Sequence, residues 1–419
     1  MPLITSYLTD RKPGWSSIQK WTVSNIDLST SSTARLHGCT TAQLHNNNNN
    51  TPSPRCGADR RDNDNRTFID SSKGQRSSRP DRRSMEKFSQ FRDRGSGISP
   101  FLPVTADTSL PAKLFHFVVF LVRVPLLAIY AVLYFIFLHH LRFLPLLLHK
   151  LFLWTLLAIP GIWWADLQLD GVARGSLHRQ PRTRMPHAGT VVAANHTSPI
   201  DAIYLAAVFD PVFVLCHPGS RKVRRVGLLA AALAALSTSP QLLTRDEWER
   251  RHAGELTTLR ALLAAHPGRI VACFPEAGTT NGKGILPLSP CLLTATPQTP
   301  VFPVSLRYAP ADVTTPVPGW KAGLAFFWRL LGRPTHTVRV RIAEAVFNTS
   351  GAVNGVASEH EASRVLGTES ERGDDAPTPE EQAFLDKVAD ALARLGRVKR
   401  VGLTLREKKA FVAAWNKRR

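Results

Sequence analysis

The chain changes texture three times. Residues 1–84 carry few large apolar side chains, many Ser, Arg and Asp, and the run "HNNNNNTPSPR". Such a stretch buries too little surface to offset its ordering entropy, so a disordered extension is expected there. Met85, one of three methionines, opens "MEKFSQFRDRGSGISPFLPV" where the texture changes. It is a candidate start site; a natural disordered tail is the equal alternative. Residues 85–112 read as a linker. The most apolar region follows, 113–164, in two runs: "FHFVVFLVRVPLLAIYAVLYFIFL" (115–138) and "FLPLLLHKLFLWTLLAIPGIWW" (143–164). Each is long enough to cross a bilayer, which takes about 20 apolar residues. Each also holds a charge, Arg123 or Lys150, and a charge at mid-bilayer costs about 3 kcal/mol. The pattern therefore predicts membrane-embedded helices in one of two arrangements. One is a single span followed by an interfacial helix. The other is a hairpin dipping into one leaflet, with Arg123 and Lys150 snorkelling to its edge.

From 165 the texture is globular. Short β-like runs recur at "GTVVAAN" (189–195), "VFVL" (212–215), "RIVACF" (269–274), "VFPVSL" (301–306) and "VRVRI" (338–342). Helical stretches lie between them, at "AIYLAAVF" after Asp201, at 223–236 and at 246–266. Strands alternating with helices predict an α/β domain over 165–350, with a mixed, mostly parallel sheet flanked by helices. Residues 351–377 are Ser-, Glu- and Gly-rich and predict a polar loop. The segment 378–419 predicts C-terminal basic helices. The first is capped by Thr378, Pro379 and Glu381. The last is amphipathic, with Phe411 and Trp415 as membrane-surface anchors or as a docking face.

Charge changes the picture. The net charge of +21 points to a polyanionic partner, either a nucleic acid or an anionic membrane surface. No nucleic-acid recognition motif supports the first, and the apolar region favours the second. "RKVRR" (221–225) reads as a solvated positive face or a contact for anionic headgroups and acyl-CoA phosphates. Five cysteines, odd in number and without metal-ligand spacing, read as reduced thiols.

Candidate chemistry gathers in two stretches. In "VVAANHTSPID" (191–201) a strand ends and a helix begins. Ser198 is placed as its N-cap, Pro199 at the first turn and Asp201 at N3. Capping explains those three residues but not His196, which the spacing puts at a sheet edge where loops form clefts. If Asp201 points back at the ring, the two make a base and its orienter, able to take a proton from a hydroxyl. No nucleophile of the chain's own is evident, so the hydroxyl belongs to a substrate. The second stretch, "CFPEAGTTNGKGIL" (273–286), carries Glu276 and a loop of Gly278, Thr279, Thr280 and Asn281 able to cradle a phosphate. Its glycine spacing does not fit a P-loop.

"NHTSPID" and "FPEAGTTNGKGIL", in that order, resemble the first and third motifs of the glycerophospholipid acyltransferases. "SGISPFLPV" and "KGILPLSP" look most like the fungal lysophosphatidate:oleoyl-CoA branch, and the resemblance covers roughly 85–419. It implies His196 as general base with Asp201 as partner, and Glu276, Gly278, Thr279 and Asn281 around the glycerol-phosphate end. It also implies a phosphate-binding arginine between the motifs, for which Arg245 is the candidate. "VFPVSL", with Pro303, matches the family's fourth motif. The implied reaction is acyl transfer from acyl-CoA to the free hydroxyl of a lysophospholipid, lysophosphatidate first, with no metal and no bound cofactor. The implied location is the endoplasmic reticulum membrane or lipid droplets. One departure stands out. The family pattern is Phe-Pro-Glu-Gly-Thr, and this chain has Ala277 and Gly278 after Glu276. A position needing positive φ would strain an alanine by about 1–2 kcal/mol. A non-catalytic lipid-binding or trafficking protein that keeps the fold is the rival expectation.

Overall fold

The structure is a computed structural model and describes residues 88–105, 109–138, 146–173, 180–237, 243–349 and 377–417. The expectations for 1–84, for Met85 and for the polar loop up to residue 376 lie outside them. Every described residue lies within Pro80–Arg419.

Helix α1 runs Leu110–Val132 and continues as a π turn, Leu133–Phe137; helix α2 is Leu146–Ala158. Strand β1 (Ile162–Leu169) leads to β2 (Val191–Ala194), helix α3 (Pro199–Phe209), β3 (Val212–Leu215) and β4 (Val223–Val226). Then come α4 (Leu228–Ala234), α5 (Arg245–Arg251), β5 (Leu256–Thr257), α6 (Leu259–Ala265), β6 (Val271–Cys273) and β7 (Gly284–Ile285). The chain closes with β8 (Val301–Ala309), α7 (Trp320–Gly332), β9 (His336–Ile342), α8 (Pro379–Gly396), β10 (Lys399–Arg400) and α9 (Leu405–Lys417).

Among the described residues, one eight-stranded sheet has the order β1-β9-β8-β2-β6-β3-β4-β5. β8, β2, β6 and β3 run parallel, and antiparallel pairs join β9 to β8, β4 to β3 and β5 to β4. This is the mixed, mostly parallel sheet the alternation predicts. The central strands read as continuous apolar runs because both their faces are covered: all four residues of β2 and all three of β6 are buried. Pro303 sits in β8, between β9 and β2. β9 pairs only from Val304 onward, so the proline removes no donor from that ladder.

The two apolar runs differ. The helix Leu110–Phe137, 28 residues with a mean hydropathy of 2.3 over its most apolar stretch, is long and apolar enough to cross a membrane. Only 6% of its most apolar window is buried, so it is not a core helix. Arg123 does not snorkel: it donates to the carbonyls of Pro160 (3.3 Å), Pro334 (2.9 Å) and Arg333. A Cβ at Gly161, which has φ +90°, would lie 2.4 Å from Pro334 O, so only glycine lets the chain pass this close. Trp328 of α7 packs on Phe117 and Phe120 of the same helix. α2 instead packs into the globular body, where Leu153, Leu156 and Leu157 are buried. Lys150 is spent inside too, donating to Val208 O at 2.7 Å. The second run ends as a strand, so Trp163 and Trp164 are exposed residues of β1 and not part of a helix.

Arg123→Met removes three charge-assisted bonds and leaves carbonyls without a donor. It is expected to lower the unfolding free energy of detergent-solubilised protein by about 3 kcal/mol, read as a fall in thermal midpoint. An unchanged midpoint would show that the helix is not seated on the body through this residue.

Candidate active site

The site is built where β2 ends. Asn195 extends that strand with its side chain: Nδ2 donates to Leu306 O at 3.0 Å, and Leu306 N donates to Oδ1 at 2.7 Å. The next residue is His196, free of the ladder. Ser198 then caps α3 and Pro199 occupies its first turn, as the sequence places them, and Ser198 and Asp201 together form a capping box. His196 therefore stands at the carboxyl end of a parallel strand, with β8 on one side and β6 on the other. Loops form the crevice at such an edge. His196 is 4% exposed, and its ring stacks on Phe274, just past β6, with centroids 4.4 Å apart.

Asp201 does not point at that ring. Its Oδ2 accepts from Thr197 N (2.7 Å), Ser198 N (2.9 Å) and Thr197 Oγ1 (3.2 Å), and its Oδ1 accepts from the Tyr308 hydroxyl. The carboxylate fixes the turn that carries His196 and is not hydrogen-bonded to the imidazole. Helix capping and tyrosine binding outcompete the predicted pairing because the turn offers several donors at once.

The second motif closes over the first. Glu276, buried, accepts from His196 N through Oε1 (3.3 Å) and from Leu286 N through Oε2 (3.1 Å). Thr280 N donates to His196 O at 3.0 Å. Thr279 is fully buried and binds Lys408 of α9, whose Nζ lies 2.7 Å from Thr279 O and 3.1 Å from its Oγ1. Asn281 turns away from the cleft. Its Nδ2 donates to Ser99 O (2.8 Å) and Leu102 O (2.9 Å), pinning the "SPFL" segment to the loop. Gly278 lies under Leu405, where a Cβ would come within 2.6 Å of Cδ2. The structure thus brings His196, Asp201, Glu276, Gly278, Thr279 and Asn281 into one region. The side chains of Asp201, Glu276, Thr279 and Asn281 hold the protein's own backbone and side chains. Arg245 opens α5, beside Gly219, and pairs with Glu249, which also accepts from Ser220 Oγ. Arg221 of the "RKVRR" stretch makes a bidentate pair with Glu381 at the start of α8, both contacts 2.8 Å, and is no solvated charge.

Burial dominates the electrostatics. It pushes the His196 imidazole down to about 3, with the nearby Lys408 charge acting in the same direction, so the ring is neutral at physiological pH. It raises Asp201 to about 6 against the pull of four hydrogen bonds, Tyr308 first, and Glu276 to about 8. It lowers Lys408 to about 7, and attraction to Glu276 opposes that shift.

Phe274, Tyr308 and Lys408 were not singled out by sequence reasoning. Phe274 lies inside a motif whose chemistry drew attention to Glu276. Tyr308 is two residues past the "VFPVSL" run, and alternation along a strand would have faced it with Leu306. Nothing in the basic tail separates Lys408 from Lys409. Cys216, Cys273 and Cys291 are free and buried, with Cys291 Sγ 3.2 Å from Cys216 Sγ. A cavity of about 150 Å³, lined by Gln168, Asp170, Arg341, Arg394 and Arg397, contains none of the predicted site residues. Among the described residues, no group of three or more His, Cys, Asp or Glu is placed to hold a metal ion.

Residues 177–307, which carry this sheet edge, His196 and the Phe-Pro-Glu loop, match the family model described as Acyltransferase. The chain is also 29% identical over 268 residues to a fission yeast (Schizosaccharomyces pombe) protein named "Putative lysophosphatidic acid:oleoyl-CoA acyltransferase", covering 62% of this chain and 84% of that one. Together the two matches support a likeness to the glycerophospholipid acyltransferases. No solved structure matches it.

The departure at Ala277 has a measurable consequence. Its φ is +53°, in the left-handed region that disfavours a Cβ. Ala277→Gly is expected to raise the unfolding free energy by about 1 kcal/mol in a denaturant titration. A loss of stability would mean that the alanine methyl packs well enough to outweigh the strain.

Proposed function

We propose that this chain is an acyl-CoA-dependent acyltransferase that moves a fatty acyl group onto the free hydroxyl of a lysophospholipid, lysophosphatidate to phosphatidate first. One observation carries the reading: a buried imidazole, held neutral, at the mouth of a parallel sheet. His196 accepts the proton of the substrate hydroxyl as its oxygen attacks the thioester carbonyl. The tetrahedral intermediate collapses, the carbon–sulfur bond breaks, and coenzyme A leaves as its thiol with the proton that the imidazolium returns. The reaction so written uses acyl-CoA as co-substrate and needs neither metal nor bound cofactor. Asp201 and Tyr308 hold the turn that aims His196. Glu276 fixes the loop opposite.

The yeast relative's name supports lysophosphatidate and oleoyl-CoA as substrates. The exposed apolar helix Leu110–Phe137 supports membrane association. With Arg123 seated on the body, that helix and the exposed Trp163, Trp164, Trp320 and Leu324 offer the enzyme an apolar surface for a lipid leaflet. The endoplasmic reticulum or the lipid-droplet surface then supplies substrates whose acyl chains are already in the lipid. Arg245, half-exposed between the motifs, is the proposed phosphate contact. A lipid-binding protein without catalysis is the second reading, favoured by Asp201, whose oxygens are taken up by the helix turn and Tyr308 instead of the imidazole.

The deciding assay gives purified wild-type protein and His196→Ala a panel of lysophospholipids with oleoyl-CoA. Wild type is expected to acylate lysophosphatidate, and His196→Ala to lose about 10²–10⁴-fold in rate while remaining folded. Lysophosphatidate binding without transfer to any acceptor by wild type would establish the second reading instead.

A further inference from the structure

Lys408 belongs to a tail that the sequence presents as a membrane-surface helix, yet it is 0% exposed. α9 docks on the globular body: Phe411 packs against Phe88, Phe91 and Phe101, and Trp415 against Phe88. One turn before Phe411, the Lys408 ammonium meets Thr279 O at 2.7 Å and Thr279 Oγ1 at 3.1 Å. A buried ammonium is costly, and an apolar side chain of similar length would pack there without that cost. Docking alone therefore does not account for a lysine. What the charge faces does. The loop it grips carries the Glu276 carboxyl, and that loop holds His196 by two backbone bonds, His196 N to Glu276 Oε1 (3.3 Å) and Thr280 N to His196 O (3.0 Å). The loop is also cut to fit the helix. A Cβ at Gly278 would lie 2.6 Å from Leu405 Cδ2 and 3.5 Å from Lys408 Nζ.

We propose that Lys408 is a positioning residue of the acyl transfer: its buried ammonium clamps the Glu276–Asn281 loop beside His196, which makes the C-terminal helix part of the active site. This rests on the reading of His196 as the base. The groups around the ring and loop are Lys408 from α9, Glu276 from the loop, Asp201 from α3 and Tyr308 from β8. Of these, Lys408 is the cation that opposes protonation of His196. Removing it makes the imidazole easier to protonate, so the acidic limb of kcat/KM must move to higher pH. A lysine that only filled space would leave that limb in place.

The test uses the full chain in detergent, with Lys408→Met, Thr279→Val, and Val412→Ala as a packing control on the same helix. Lys408→Met is expected to lower kcat/KM by about 10–100-fold, mainly through kcat, as small misplacements of reacting groups do. It should also shift the acidic limb upward. Thr279→Val keeps the charge and the volume but removes one acceptor of the ammonium; kcat should fall several-fold with the limb unmoved. Val412→Ala should lower the thermal midpoint and leave the limb unmoved. Should Lys408→Met fail to fold, wild-type kcat in Thr279→Val overturns the proposal. In folded Lys408→Met, an unmoved acidic limb overturns it, as does an equal shift in Val412→Ala. Full activity in His196→Ala is a different failure, and it would remove the base reading itself.

Discussion

One buried carboxyl joins the two halves of the site. Glu276 accepts a backbone N–H from His196 on one side and from Leu286 on the other. It thereby fixes the end of β2 against the loop that follows β6. Everything else at the cleft is arranged around that junction. Phe274, two residues earlier, presents its ring to the imidazole. Thr280 returns a bond to the His196 carbonyl, and Asn281 ties down the segment at Ser99–Leu102. A carboxyl this deeply buried is costly unless its oxygens are satisfied, and here backbone donors satisfy them.

The same economy of donors decided what could be read from the sequence. The strand–helix alternation was legible because the central strands are buried on both faces and therefore apolar throughout. The start of α3 was legible because Ser198 and Pro199 obey local rules for a helix N-terminus. The role of Asp201 was only half legible. Spacing placed it one turn from His196, but its partner was decided by Tyr308, 107 residues away along the chain. Lys408 was illegible for the same reason: its burial depends on how α9 docks, and aromatic contacts to Phe88, Phe91 and Phe101 determine that. Periodicity identified α9 as amphipathic without saying whether its apolar face meets lipid or protein. The match of residues 177–307 to the acyltransferase family model bears on the central site; both Lys408 and the apolar helix lie outside that span.

Charges in the apolar segments follow one rule. Arg123 and Lys150 look from sequence like residues reaching for a membrane edge. In the fold both find backbone carbonyls of the globular body. The turn before β1 and the turn before β9 supply those carbonyls to Arg123, and the close approach is possible because position 161 is glycine. The apolar helix is thereby fastened to the sheet domain at its middle. A lipid surface that takes up its exposed face meets the cleft at a set orientation.

The central claim is that the imidazole of His196 performs the proton transfer, and chemical rescue tests it most directly. His196→Gly removes the ring and leaves space beside Phe274 for a small base. The account predicts that oleoyl transfer to lysophosphatidate collapses in this variant. It also predicts that added imidazole restores the rate in proportion to the neutral imidazole present, rising as pH passes through about 7. Wild-type transfer by His196→Gly in the absence of imidazole would contradict the account outright.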